Sequence, residues 1–297
     1  MPELPEVQAL AERLHDRLAG ATFIGADVLS FSSLKTFSPQ PEDIQGRVLA
    51  SVGRRGKFLL FDLGGPRLLL HLSQGGRIDL MEGKSTSRPR GGVVRLRFDR
   101  GPAVTVREFG TERKAGWWIL VQGDEGPLAK LGPDPFSDEF RELIVAGSDT
   151  GRLHPMLRDQ RRVAGIGRGY SDDILHRAKL SPFRSLSSLD AGERQRLLDA
   201  VHSVLNEALE VERRRDGGLP PKLGDHWIVH GRWGTPCPVC GSDLRRVSYE
   251  SHGTYRRGNP GAGLPFRTVA AHDITYCPAC QTGGKVLADR RLSRLLK

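Results

Sequence analysis

MPELPEVQALAERLHDRLAG, residues 1–20, opens the chain and decides how the rest is read. Val7, Leu10, Leu14 and Leu18 recur at spacings of three and four, the repeat of one apolar stripe on an α-helix. Pro5 suits the entry, where backbone N–H groups have no partner within the helix anyway, and Gly20 suits the stop. The pattern predicts a helix over 6–19. Such a stripe must be laid on another element, and residues 22–130 supply one. They carry short β-rich runs at 58–61, 68–71, 93–98, 104–106 and 117–121, separated by Gly64-Gly65-Pro66 and Gly91-Gly92. A helix leading a sheet or sandwich is the expected first unit.

Beyond it the punctuation changes. Residues 131–138 form a Pro-rich connector, and helical patterns then run to about 215, clearest where Leu198, Val201, Leu205 and Ala208 share a face. The Gly- and Pro-rich stretch 217–224 marks another boundary. The expected class is α+β with several domains, divided 1–134, 135–216 and 217–297. No fixed-period repeat is present.

Composition narrows the partners. Of 297 residues, 38% are apolar and 27% charged, as in a folded globular chain. No apolar run reaches the roughly 18 residues of a membrane helix, and the acidic, Pro-punctuated start lacks the chemistry of a signal peptide. A cytoplasmic protein without membrane contact is expected. Lys and Arg total 45 against 35 acids, a net charge of +10, and the arginines are spread along the chain rather than gathered in a tail. A long basic surface for nucleic acid is the expectation, although composition does not separate DNA from RNA.

All four cysteines fall in two pairs, Cys237-Pro238-Val239-Cys240 and Cys277-Pro278-Ala279-Cys280. Two residues between thiolates let one tight turn present both sulfurs to a single ion, and two such turns complete a tetrahedral shell suited to Zn²⁺. Iron would accept the same spacing. No sulfur is left over for an open position, so one structural ion is expected. The 36 residues between the pairs imply a long hairpin or an inserted loop.

Pro2 carries a second kind of chemistry. It is small enough to permit removal of Met1, which leaves a secondary amine with a pKa of about 7.7–8.0, partly neutral at physiological pH. Attack by that amine on a sugar C1′ gives an iminium that is cationic without a proton. The cation acidifies the neighbouring C2′ proton and drives β-elimination. Glu3 stands beside it as a candidate acid or base. Taken alone, Met-Pro-Glu also serves as a plain approach to a helix.

Several motifs occur together in one order. They are Met1-Pro2-Glu3-Leu4-Pro5-Glu6-Val7, a Gly56-Lys57 strand, Arg107 with Phe109-Gly110, Asp159-Gln160 with Gly165-Ile166-Gly167, and the paired cysteines. This combination resembles the formamidopyrimidine-DNA glycosylase/endonuclease VIII family over nearly the whole chain. The resemblance implies an N-terminal helix plus β-sandwich domain, a helix–two-turn–helix domain and a C-terminal four-cysteine zinc finger, with the damaged base extruded between them. It implies that Pro2 is the Schiff-base nucleophile, Glu3 the acid at the sugar, and Lys57 a phosphate contact that assists β-elimination. Arg107 and Phe109 match a pair that fills the gap left by the flipped nucleotide. His71 matches a phosphate contact, or is a core histidine. Tyr170, just beyond the Gly-Ile-Gly run, is placed with the DNA-binding residues.

Four departures from the family pattern bear on substrate. Gln74 stands where a gap-filling methionine is expected, and either occupies the gap or is a solvated turn residue. Arg168 replaces the asparagine after Gly-Ile-Gly, and can grip phosphate bidentately. Ser171-Asp172 is expected to cap the helix that follows. His272 replaces the finger arginine, with Arg256, Arg257 or Arg267 as substitutes. The segment from Gly217 to Trp227 is short, where members specialised for 8-oxoguanine carry a longer capping loop.

The reading is therefore a monomeric DNA N-glycosylase and apurinic/apyrimidinic lyase acting on duplex DNA with damaged bases or abasic sites. One alternative is a family-like protein that binds damaged DNA without excising bases. A zinc-ribbon RNA-binding protein is another, and would need no free N-terminal proline.

Overall fold

The computed structural model describes residues 1–83, 87–109, 113–220, 224, 226–251 and 270–288, with backbone alone at 249–251 and 270–272. Helix α1 runs Leu4–Leu18, two residues earlier than the apolar stripe suggests. Glu3 is its N-cap, and the Glu6 carboxylate accepts a hydrogen bond from the Glu3 amide at 2.9 Å, half of a capping box. Polar end residues like these carry no stripe, which is why the periodicity begins late.

Eight strands follow: β1 Phe23–Val28, β2 Ser51–Arg55, β3 Phe58–Asp62, β4 Arg67–His71, β5 Gly76–Met81, β6 Gly92–Phe98, β7 Ala103–Glu108 and β8 Gly116–Leu120. They form two four-stranded antiparallel sheets, ordered β1-β6-β7-β5 and β2-β3-β4-β8. One core joins both sheets. Phe23, Ile78, Leu96 and Val104 from the first pack with Val52, Phe61, Leu68 and Ile119 from the second, and Val7, Leu10, Leu14 and Leu18 of α1 complete the cluster. Truncating one such buried leucine to alanine costs about 2–5 kcal/mol.

Gly56 and Lys57 do not form the strand expected of their motif. They are the two-residue turn between β2 and β3, with Arg55 paired to Phe58 across it. Gly56 sits at φ +57°, a left-handed value that a two-residue hairpin demands of its first central residue.

The helical part comprises α2 Asp138–Ala146, α3 Leu153–Arg158, α4 Arg168–Arg177 and α5 Ala191–Arg213. Leu198, Val201, Leu205 and Ala208 of α5 are buried together with Ile166, Tyr170 and Ile174 in a second core. Leu4 belongs to this core, whereas the rest of the α1 stripe belongs to the sandwich. The first turn of α1 is thus pinned where the two cores meet, and Glu3 with it. Ser171 and Asp172 are not caps: Gly167 caps α4, and both lie buried inside the helix. The Ser171 hydroxyl instead donates back to the Gly167 carbonyl.

Strands β9 Arg245–Ser251 and β10 Ala270–Tyr276 form an antiparallel hairpin, followed by the short helix α6 Pro278–Thr282. This bears out a hairpin between the cysteine pairs. Arg256, Arg257 and Arg267 lie outside the described residues. No helix among the described residues is long and apolar enough to cross a membrane.

Candidate active site

Three segments distant in sequence meet at Glu3. The first is the N-cap of α1. The second is the loop 165–167, which leads into α4. The Gly165 carbonyl accepts from the Leu4 amide at 3.0 Å, and Gly165 lies at φ +103° with no room for a Cβ against Leu4. Gln160 braces this loop from within: its Oε1 accepts from the Gly165 amide at 2.9 Å and its Nε2 donates to the Ile166 carbonyl at 2.6 Å. The Glu3 carboxylate accepts from the amides of Gly167 and Gly169, the latter at 3.1 Å. An anion there is held by free N–H groups at the start of α4.

The third segment is the β2–β3 turn. A Cβ on Gly167 would collide with both the Glu3 carboxyl and Lys57 Nζ, so the carboxylate and the amine converge on one Cα. Lys57 is only 4% exposed. Burial pushes its pKa down, while Glu3 and Glu6 push it back up. Pro2, next to Glu3 in the chain, is buried. The amine at Met1 is likewise lowered by burial, with Glu3, Arg77, Glu6 and Lys57 near enough to affect it.

Beside this centre stands a second group. Gln74 lies exposed in the turn before β5, and Phe109 follows directly after β7 with 41% of its surface exposed. The two turns are clamped together, because the Phe109 amide donates to the Gly75 carbonyl at 2.9 Å. Arg107 pairs with Asp79 and also lies over the Phe109 ring, 5.2 Å from its centroid. Gln74, Arg107 and Phe109 therefore share one rim. His71 ends β4 with its ring tilted at 36° against Phe58, and burial with the Lys57 charge pushes its pKa down to about 4. Its imidazole is a neutral hydrogen-bonding group at physiological pH.

Behind Glu3 lies a buried polar chain. The Tyr170 hydroxyl is 2.8 Å from Glu6 Oε1, to which it donates, and 2.8 Å from His226 Nε2. On the far side, His226 Nδ1 is 3.8 Å from Glu212 Oε1. Burial and the Glu3 charge raise the Glu6 pKa to about 7. Tyr170 is thus turned inward toward Glu6, not outward on a binding face. Arg168 occupies the first turn of α4, half-buried. His272 lies in β10 opposite Tyr249, and its side chain is outside the described residues.

Helix α4 also carries the cysteine-bearing unit. Asp173 accepts from the amides of Ile228, Val229 and His230 at 2.8–3.0 Å. Asp172 accepts from His230 Nδ1 at 2.6 Å and from the Thr275 amide at 3.1 Å, with His154 Nε2 also 3.1 Å away. Burial alone would raise the Asp172 carboxyl, but the two histidines hold it below its ordinary value. His230 is correspondingly raised: Asp172 outweighs the effect of burial. The four cysteine sulfurs cluster, with Cys237 and Cys280 4.0 Å apart and Cys240 and Cys277 3.4 Å apart. Edges of a tetrahedral zinc–sulfur shell measure about 3.8 Å, given Zn–S bonds of about 2.3 Å. The donor set therefore fits a metal, and the separations are too long for disulfides. His176 Nε2 lies 3.2 Å from the Cys237 sulfur.

Residues 1–118 match the formamidopyrimidine-DNA glycosylase N-terminal domain, and residues 131–216 match the H2TH domain of the same enzymes. A formamidopyrimidine-DNA glycosylase of Symbiobacterium thermophilum is 34% identical over 98% of this chain and 93% of its own. The chain belongs to the formamidopyrimidine-DNA glycosylase family. Among solved structures, the MutM (Fpg) protein of Thermus thermophilus aligns over 96% of this chain and all of its own, with 31% identity and a TM-score of 0.73. The Lactococcus lactis glycosylase, solved non-covalently bound to DNA containing an AP site, shares the fold at 23% identity, covering 94% of this chain and 99% of its own, with a TM-score of 0.75.

The fold thus brings Glu3 and Lys57 to one point, with buried Pro2 next to Glu3 in the chain, and gathers Gln74, Arg107 and Phe109 on one rim. Sequence reading missed Arg77, His226 and His230. Glu6 was legible as a capping-box partner, being three residues after Glu3. Nothing in the sequence ties His226 to it across the length of the chain.

Proposed function

We propose that this chain is a bifunctional DNA N-glycosylase and apurinic/apyrimidinic lyase of base excision repair, working as a monomer on duplex DNA that carries a damaged base or an abasic site. Relatives over the full length are glycosylases by name, and one with the same fold is seen on AP-site DNA. The observation that carries the reading is the convergence of Glu3 and Lys57 at Gly167, beside buried Pro2.

In this reading the Pro2 amine, freed by loss of Met1, attacks C1′ of the everted nucleoside. The glycosidic bond breaks and the base leaves with its electron pair. Glu3, oriented by the Gly167 and Gly169 amides, takes the remaining N–H proton of the adduct and passes it to the ring oxygen as the C1′–O4′ bond breaks and the nitrogen lone pair closes the C1′=N bond. The resulting iminium loses a C2′ proton and the 3′ phosphate is eliminated. Lys57 lies within reach of the same sugar–phosphate. Phe109 wedges into the stack, and Arg107 and Gln74 offer donors to the orphaned base. His71 and Arg168 take phosphates, as does His272 from the finger. The four cysteines hold one structural zinc, which would stiffen the finger hairpin.

The basic surface and the sulfur cluster also suit a binder that excises nothing, but such a binder has no use for a buried amine beside two ionisable groups. A duplex oligonucleotide with one ring-opened purine tests the point. Release of the free base together with strand nicking is expected. Retention of an intact strand under single-turnover conditions would leave only the binding reading.

A further inference from the structure

The attacking amine must lose a proton before it can form a bond to C1′, and the groups nearest to it are unequal as acceptors. Glu3 is engaged by two amides and works on the sugar. Lys57 lies in the same charged cluster. Glu6 is different: its Oε2 accepts from the Glu3 amide, the amide immediately following the Pro2 ring, while its Oε1 faces away toward Tyr170.

The chain behind Glu6 has two proton arrangements of equal proton count. In one, Tyr170 donates to a Glu6 carboxylate and an imidazolium at His226 donates to the Tyr170 oxygen. In the other, a protonated Glu6 donates to Tyr170, which donates to neutral His226. Two shifts along two 2.8 Å contacts interconvert them with no exchange with solvent. Glu212 lies fully buried at the far end, where its Oε1 also pairs with Arg215 at 2.9 Å.

We infer that Glu6 is the base that takes the proton from the Pro2 ammonium, and that Tyr170 and His226 are positioning residues that keep Glu6 ionised for that step. The N–H bond of the amine breaks, its electron pair stays on nitrogen, and the proton goes to Glu6 Oε2. Glu6 becomes neutral as the amine becomes a nucleophile. The groups facing Glu6 are Glu3 on its own helix end, Lys57 from the β2–β3 turn, Arg77 from β5, Tyr170 from α4, Glu212 from α5 and His226, and the N-terminal amine, here still that of Met1, feels its charge. The raised Glu6 pKa of about 7 puts it within range of the amine it serves.

This rests on Pro2 being the nucleophile, so the test reads both. Adduct formation with abasic-site DNA is followed across pH with cyanoborohydride as the trap. The wild-type rate is expected to rise with pH through about 7 and level off. His226→Gln loosens the ring contact that holds the Tyr170 hydroxyl on Glu6, so Glu6 loses part of the donation that favours its ionised form and the acid limb moves up by about one unit. Tyr170→Phe moves it the same way, and Glu6→Gln removes the Glu6-dependent limb and slows trapping. A role in folding alone would scale the rate equally at every pH, and that result from His226→Gln, with the wild-type melting temperature retained, overturns the inference. Should Tyr170→Phe fail to fold, the His226→Gln profile decides by itself. Absence of any adduct with the wild type overturns the nucleophile reading, and the inference with it.

Discussion

Glu6→Gln isolates the energetic cost of placing an ionisable group in the buried chain behind the site. Glu6 is 1% exposed, and its pKa is raised from 4.5 to about 7 by burial and by Glu3. A carboxyl raised in the folded state binds its proton more tightly there than in the unfolded chain. Its stabilising contribution is therefore full below pH 4.5 and is lost as pH rises through 7. Between pH 5.5 and 8.5 the loss amounts to about 2 kcal/mol for a shift of this size. Glutamine keeps the shape and cannot titrate. Urea unfolding of both proteins at the two pH values is the assay. The wild type should lose about 2 kcal/mol more than Glu6→Gln on going to pH 8.5. Equal losses in the two proteins would refute the buried, proton-holding Glu6.

Glu3→Gln should retain affinity for abasic-site DNA and lose base excision by about 10²-fold or more, since an amide transfers no proton; unchanged single-turnover excision would contradict the role given to Glu3. Elemental analysis should find one zinc per chain, and a chelator should unpack the cluster of Val229, Leu244, Cys237 and Cys277; a metal-free protein with an intact finger would exclude the ion. Affinity for DNA should fall with salt at a log–log slope of about −0.9 per phosphate contact, and a flat response would remove the phosphate contacts. The short segment 217–227 leaves little backbone to wrap a flipped purine. Since an unpaired polar base edge costs about 1–3 kcal/mol, 8-oxoguanine opposite cytosine should be excised about ten- to a hundredfold more slowly than ring-opened purines or oxidised pyrimidines.

The elements that carry apolar periodicity were legible. The α1 stripe and the α5 face are buried as their spacing requires, and the paired cysteines cluster as theirs does. Where polar residues set the geometry, local reading went astray. Gly56 and Lys57 make a turn because a left-handed glycine reverses the chain there, and a strand-like neighbourhood hides it. Ser171 and Asp172 look like caps by residue type, yet the actual cap is Gly167, whose missing side chain makes room for Glu3 and Lys57. Tyr170 stands next to the Gly165-Ile166-Gly167 run but faces Glu6. His226 and His230 are legible only in three dimensions. Their partners Glu6 and Asp172 lie in other elements far away in the chain.

The nucleophile can be located directly. The adduct formed on abasic-site DNA is reduced with borohydride, digested, and mapped by tandem mass spectrometry. The expected mass increment sits on the nitrogen of Pro2, in a peptide that has lost Met1, and a chain whose terminus is blocked by an uncleaved extension gives no adduct. An increment on Lys57, or an adduct that forms despite the blocked terminus, would contradict the assignment of Pro2.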